Sequence, residues 1–200
     1  PKDFASKLQT GTGASHTKSF IRYLKEFEFE KPLGDHAKNQ RLLYEPKGVC
    51  ALITPWNWPM NQVCLKVIPA LASGCTMILK PSELAPLSAM VLAELIDEAK
   101  FPKGVFNLVN GDGEITGDAL TSHPDVNMIS FTGSTRAGAL ISQNAAKDFK
   151  RVSLELGGKG ANIIFKDADK EAVERGALRC FRNSGQSCNC LLYTSDAADE

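Results

Sequence analysis

Gly48-Val49-Cys50-Ala51-Leu52-Ile53-Thr54-Pro55-Trp56-Asn57-Trp58-Pro59 is the stretch that decides the fold of this chain. Val49 to Ile53 is an uncharged apolar run that ends at a turn bracketed by two prolines. Such a run reads as a strand buried on both faces. The rhythm then repeats. Met60 to Ala72 reads as a helix stopped at Gly74, and Cys75 to Leu79 as a second apolar strand ending at Lys80-Pro81. Pro86 to Lys100 is helical, with Leu87, Val91, Leu95 and Ala99 along one face. Val105 to Val109 is a strand, Ile115 to Thr121 a short helix, and Met128 to Phe131 a strand. Ala137 to Lys147 follows as helix, Val152 to Leu156 and Ala161 to Phe165 as strands, and Lys170 to Arg182 as helix. Short apolar strands alternating with helices predict an α/β fold, a doubly wound parallel sheet with right-handed crossovers and helices on both faces. Upstream, residues 14–29 predict a helix with Phe20, Leu24 and Phe27 at helical spacing. Residues 31–46, broken by Pro32, Gly34 and Pro46, predict a hairpin or a connecting arm.

The composition narrows the class of function. With 23 basic and 23 acidic side chains among 200 residues, the chain has no charge bias that would draw it to nucleic acid or an acidic membrane surface. No long uncharged apolar run is present, so no membrane span is expected, and a cytoplasmic protein is the default. The six cysteines show no CxxC pair and no histidine at zinc spacing, so no metal site is expected. Cys50, Cys64 and Cys75 lie among aliphatic residues and read as small buried hydrophobes. The last stretch, residues 190–200, changes character and resembles one reading frame of a DNA sequencing adaptor. It is expected to carry no fold information, and Cys190 no function.

In doubly wound sheets ligands bind beyond the carboxyl ends of the strands. Four segments with chemical content fall there. Phe131-Thr132-Gly133-Ser134-Thr135 turns a strand into a helix, where free N–H groups suit a phosphate, although Ser134 also reads as an ordinary N-cap. Leu79-Lys80-Pro81-Ser82-Glu83 offers a cation and a carboxylate able to hold ribose hydroxyls, or simply a surface turn capped by Ser82. The prolines of Thr54 to Pro59 give the Asn57 amide a fixed address between Trp56 and Trp58, which suit the wall of an apolar funnel; the plainer reading is a rigid corner. Glu155 precedes Gly157-Gly158 and suits a general base in a partly dry place, or an ordinary ion-pair partner. A fifth segment, Asn183-Ser184-Gly185-Gln186-Ser187-Cys188, presents a thiol with polar neighbours, unlike the three aliphatic-flanked cysteines. A nucleophile, a base and an amide donor are the parts that acyl chemistry at a carbonyl carbon requires.

Taken in order, Thr54-Pro55-Trp56-Asn57-Trp58-Pro59, Lys80-Pro81-Ser82-Glu83, Phe131-Thr132-Gly133-Ser134-Thr135, Leu154-Glu155-Leu156-Gly157-Gly158-Lys159 and Gly185-Gln186-Ser187-Cys188 resemble the aldehyde dehydrogenase superfamily from about Gly13 to Asn189. The resemblance implies oxidation of a small aldehyde to a carboxylic acid with NAD, or NADP. It implies Cys188 as nucleophile, Asn57 as oxyanion donor and Glu155 as the base that activates water. It places Ile53, Thr54, Pro55, Trp56, Lys80, Ser82, Glu83, Gly113, Gly117, Phe131, Gly133, Ser134 and Leu156 against the cofactor. It further implies an N-terminal helical segment at 1–30, an oligomerisation-type arm at 31–46 and a Rossmann-like NAD-binding domain at 47–160. The start of a truncated catalytic domain would lie at 161–189, in a parent that is a homo-oligomer, and the chain itself is expected to be inactive. An acylating or semialdehyde-specific relative, or a non-catalytic dinucleotide-binding one, remains open; the acylating branch is disfavoured because such relatives usually lack the base that Glu155 supplies. One departure stands out: Arg136 occupies the place of a glutamate common in the family.

Overall fold

A computed structural model describes residues 2–158 and 160–188. The adaptor-like stretch 190–200, with Cys190, lies outside the described residues, as do Lys159 and Asn189. The element order is the expected alternation. A short helix α1 (Lys2–Phe4) runs through a wide π-type turn into α2 (Gly11–Glu26). Strands β1 (Glu30–Pro32) and β2 (Arg41–Leu43) then pair antiparallel, Lys31 opposite Leu42, so residues 31–46 contain a hairpin. The main sheet follows, with β3 (Val49–Ile53), α3 (Pro59–Ala72), β4 (Thr76–Lys80), α4 (Leu87–Glu98), β5 (Phe106–Leu108), α5 (Asp118–Ser122), β6 (Met128–Thr132), α6 (Thr135–Ala146) and β7 (Arg151–Glu155). Helix α7 (Ala172–Phe181) comes last.

Five strands form one parallel sheet in the order β5-β4-β3-β6-β7. The chain builds outward from β3 to one side and then jumps back to place β6 on the other. That reversal is a switch point, where the connections diverge and leave a crevice at the carboxyl edge. Alternation along the strands splits the apolar side chains between two cores. Cys50, Leu52, Met77 and Leu79 pack with Val63, Val67 and Ala70 of α3 and Ala89 and Ile96 of α4. Ala51, Ile53, Ile129 and Phe131 pack with Leu120 of α5 and Ile141 and Ala145 of α6. The sheet is therefore covered on both faces, which is why β3 reads as one apolar run.

Local chemistry sets the element ends. Pro59 begins α3, where its missing N–H costs nothing. Gly74, at φ +75°, ends it in the left-handed conformation that glycine adopts without a Cβ penalty. Asp112 and Ser134 cap the turns after β5 and β6 by accepting from the backbone N–H groups of Ile115 and Ala137.

Three expectations need correction. The face of α4 carrying Leu87, Val91 and Leu95 is exposed, as is Ala99 beyond the helix; Ala89, Leu92 and Ile96 meet the sheet instead. Both stripes satisfy helical periodicity, and the position of β4 and β5 selects between them. Ala161 to Phe165 is not a strand, because it finds no ladder partner among the described residues, and Ile163 and Phe165 are exposed. The first helix also starts well before residue 14 and ends at Glu26.

Candidate active site

The parallel register aligns the ends of four strands. Ile53 lies opposite Lys80 and Phe131, and Thr132 opposite Glu155. Two clefts open along this edge, one on each face of the sheet.

The first cleft, about 370 Å3, exists because α3 covers β3 and β4 but leaves the same face of β6 and β7 open. Ser130, Thr132, Ser153 and Glu155 floor it, since residues two apart on a strand share a face and Ser130 pairs with Ser153. Gln62, Leu65 and Lys66 of α3 form one wall, and Pro55, Asn57 and Cys188 close the end. Cys188, Glu155 and Asn57, separated by up to 131 positions in the chain, thus line one cavity, together with Pro55, Gly133 and Leu156. Glu155 is exposed, not partly dry, because β7 is the edge strand and no helix covers it on this side.

Asn57 is 7% exposed. Its Nδ2 donates to the Gln186 carbonyl at 3.1 Å. Asn183 Nδ2 donates back to the Asn57 carbonyl at 2.8 Å and to that of Gln186 at 3.1 Å. The thiol loop is bound to the turn after β3 by this exchange. Trp58 does not line the cleft; its indole N–H donates to Ser187 Oγ at 2.8 Å and its ring leans on Phe4.

Sequence reasoning missed Lys66. Its Nζ donates to Ser130 Oγ at 2.8 Å. Burial pushes its pKa down to about 8, with the Glu155 carboxylate pulling the other way. The signal was present: Lys66 is the sole charge between Met60 and Ala72. The serines and threonine at 130, 132 and 153 were equally visible as polar residues alternating within otherwise apolar strands.

The second cleft, about 360 Å3, lies on the other face between the start of α5 and α6. It is lined by Ile53, Lys80, Gly113, Gly117 and Phe131 from the expected set, and by Arg136, Leu140 and Asn144 among others. Lys80 is buried, with Nζ 3.3 Å from the Pro81 carbonyl and 3.5 Å from Glu83 Oε2. A Cβ at Gly117 would meet the Lys80 side chain at 4.0 Å, an ordinary packing distance, so Gly117 lies directly beside that stem. Thr54 is buried at the end of β3, and its Oγ1, like Thr132 Oγ1, has no hydrogen-bond partner among the described residues. Trp56, Ser82, Glu83 and Ser134 line neither cleft. Ser82 Oγ accepts from Leu84 N, and Ser134 Oγ from Ala137 N. Among the described residues no cluster of side chains fits a metal ion, and no helix is long and apolar enough to cross a membrane.

Fold and site together define an α/β domain that gathers a thiol, a carboxylate and a carboxamide at the ligand edge of a parallel sheet. The sequence pattern of the "Aldehyde dehydrogenase family" matches residues 3–193, and the chain belongs to that family. It is 56% identical to a 3-succinoylsemialdehyde-pyridine dehydrogenase of a Pseudomonas species over 186 residues, 92% of this chain and 38% of that protein. It superposes on the crystal structure of an aldehyde dehydrogenase from Bartonella henselae with a TM-score of 0.92 and 63% identity, covering 95% of this chain and 40% of that one. An aldehyde dehydrogenase of Pseudomonas syringae, solved with NAD+ and octanal, gives a TM-score of 0.89 at 50% identity, covering 94% of this chain and 38% of that one. The chain therefore spans about two fifths of the length of these relatives.

Proposed function

We propose that this chain carries the NAD-binding segment and the reacting thiol of an enzyme that oxidises a small aldehyde to its carboxylic acid. The observation that supports this most is the convergence of Cys188, Glu155 and Asn57 on one cleft. In this reading the Cys188 sulfur adds to the aldehyde carbon and forms a thiohemiacetal. Asn57 Nδ2 has two N–H bonds; one is spent on Gln186, and the other, with the Cys188 backbone N–H, meets the oxyanion. Once the carbon is oxidised, Cys188 holds a thioester. Glu155, open to solvent, then takes the proton of the water that hydrolyses it.

The residues present fit a dinucleotide. The second cleft offers apolar walls for a flat ring from Ile53, Phe131, Ala137, Leu140 and Ile141. The orphaned hydroxyls of Thr54 and Thr132 want partners at the sheet edge. When bound, NAD supplies a hydride acceptor. Lys80, Gly113 and Gly117 would hold one end of it and Pro55, Gly133 and Leu156 the other, with Trp56, Ser82, Glu83 and Ser134 contributing near the sheet edge. The Glu83 carboxylate repels a 2′-phosphate, which favours NAD over NADP. The parts at 1–30, 31–46, 47–160 and 161–189 are assigned as helical segment, oligomerisation arm, cofactor domain and start of the catalytic domain, in a cytoplasmic homo-oligomer.

The test uses a protein of the relatives' full length carrying this segment, given an aliphatic aldehyde and NAD. Formation of NADH with an acyl group trapped on Cys188 in the Glu155→Gln variant is expected. Undiminished turnover by Cys188→Ala would refute the assignment.

A further inference from the structure

The backbone leading to Cys188 is bent by three successive left-handed residues, Asn183 at φ 54°, Ser184 at φ 58° and Gly185 at φ 79°. Left-handed conformation is unfavourable for the first two, which carry a Cβ, so the loop needs outside support. Asn57 and Asn183 provide it up to one atom, the Gln186 carbonyl oxygen, which accepts from both amides. Beyond that point the backbone torsions of Ser187 remain, and these decide where the next side chain points. Among the described residues no hydrogen bond fixes Cys188 itself. Ser187, however, is 8% exposed, and its Oγ accepts the indole N–H of Trp58 at 2.8 Å. The indole is itself braced from behind by Phe4, with ring centroids 5.8 Å apart. Cys188 is exposed and lines the first cleft immediately afterwards.

We propose that the Trp58–Ser187 hydrogen bond is a clasp that directs the Cys188 thiol into the cleft shared with Asn57 and Glu155, making Trp58 and Ser187 positioning residues. The inference rests on the reading of Cys188 as the nucleophile. Phenylalanine at position 58 would retain ring packing on Phe4 but lose the donor. Alanine at 187 would lose the acceptor, and threonine would retain it. The clasp therefore depends on a pairing of two particular side chains and not on aromatic bulk alone.

The readout is the position of the sulfur, measured in the 200-residue chain by two alkylating agents of different size. Cys188 is exposed at the cleft mouth, so iodoacetamide reaches it freely, while the cleft walls beside it slow the bulky fluorescein maleimide relative to a free thiol. The ratio of Cys188 modification rates, large reagent over small, is followed by peptide mass spectrometry. Loss of one hydrogen bond of ordinary net strength raises that ratio about fivefold in Trp58→Phe and in Ser187→Ala. The double variant shows no further rise, because both single changes break the same bond, and Ser187→Thr restores the starting ratio. A ratio unchanged in both single variants overturns the clasp, as does full additivity in the double variant. Failure of the underlying reading looks different: in the unaltered chain Cys188 would already show the ratio of a short thiol peptide, and the cleft would set no direction for the thiol. Ser187 substitutions change one small side chain, so the measurement stands even where Trp58→Phe lowers stability.

Discussion

Lys66 carries a cost that pH makes measurable. Its ammonium reaches over the floor of the first cleft to Ser130, and burial lowers its pKa from the ordinary 10.5 to about 8 although Glu155 counteracts. At about 1.4 kcal/mol per tenfold change, that fall corresponds to about 3 kcal/mol for keeping the group charged in the folded chain. Below about pH 8 both folded and unfolded chains hold the proton, and the folded chain bears the whole cost. Between about 8 and 10.5 the folded chain releases its proton while the unfolded one keeps it, so this group makes stability rise with pH. Above about 10.5 the cost has gone. Lys66→Met keeps the aliphatic stem and removes the titration. It also removes the bond to Ser130, but a neutral amine still makes that bond, so its loss shifts the comparison by a near-constant amount. Urea denaturation of both chains from about pH 7 to about pH 10 isolates the titrating part. The stability of the methionine variant relative to the unaltered chain should fall by about 2–3 kcal/mol across that range. A difference that stays flat to within about 0.5 kcal/mol would mean that Lys66 is not charged at a cost in the folded state, and the desolvation argument would be lost.

Further outcomes follow from other contacts. In Glu155→Gln the attraction that holds the Lys66 pKa up is lost, so the midpoint of that pH-dependent rise in stability moves to lower pH; an unmoved midpoint separates the two groups. Gly138→Ala places a Cβ 2.6 Å from Leu156 Cδ2; the gain of about 1 kcal/mol in helix propensity offsets part of that clash, so thermal or urea unfolding should show a net loss of about 1 kcal/mol. Leu156→Ala added to it should be less than additive, because the obstructed side chain has been removed. Cys50, held up to about 12 by burial and by its neighbour Cys75, should resist iodoacetamide in the folded chain up to about pH 10 while Cys188 is labelled; labelling at equal rates would contradict the packing.

Much of the fold was legible because burial on both faces leaves a strong mark. Val49 to Ile53 has no polar residue since α3 and α4 lie on one side and α5 and α6 on the other. The edge strand was harder to interpret. Arg151, Ser153 and Glu155 alternate with Val152 and Leu154, and the alternation showed one open face without showing what that face serves. For α4, the stripe Leu87, Val91, Leu95 and the stripe Ala89, Leu92, Ile96 both obey a helical period, and the larger side chains turned out to be the exposed ones. Ala161 to Phe165 had strand composition, but a strand forms only where a neighbour supplies hydrogen bonds, and none does so among the described residues.

For the site, the amino-acid order alone named the thiol, the carboxylate and the amide, because each lies at or just past an element end with glycine or proline within a few residues. Tertiary structure decided their meeting. Parallel register puts Thr132 beside Glu155, the uncovered side of β6 and β7 opens the cleft, and the bonds from Asn57, Asn183 and Trp58 bring in a cysteine more than a hundred residues away. Lys66 acquires its character in the same manner. A lysine in a helix is ordinary in sequence, and only the sheet beneath it strips away the water that sets its charge.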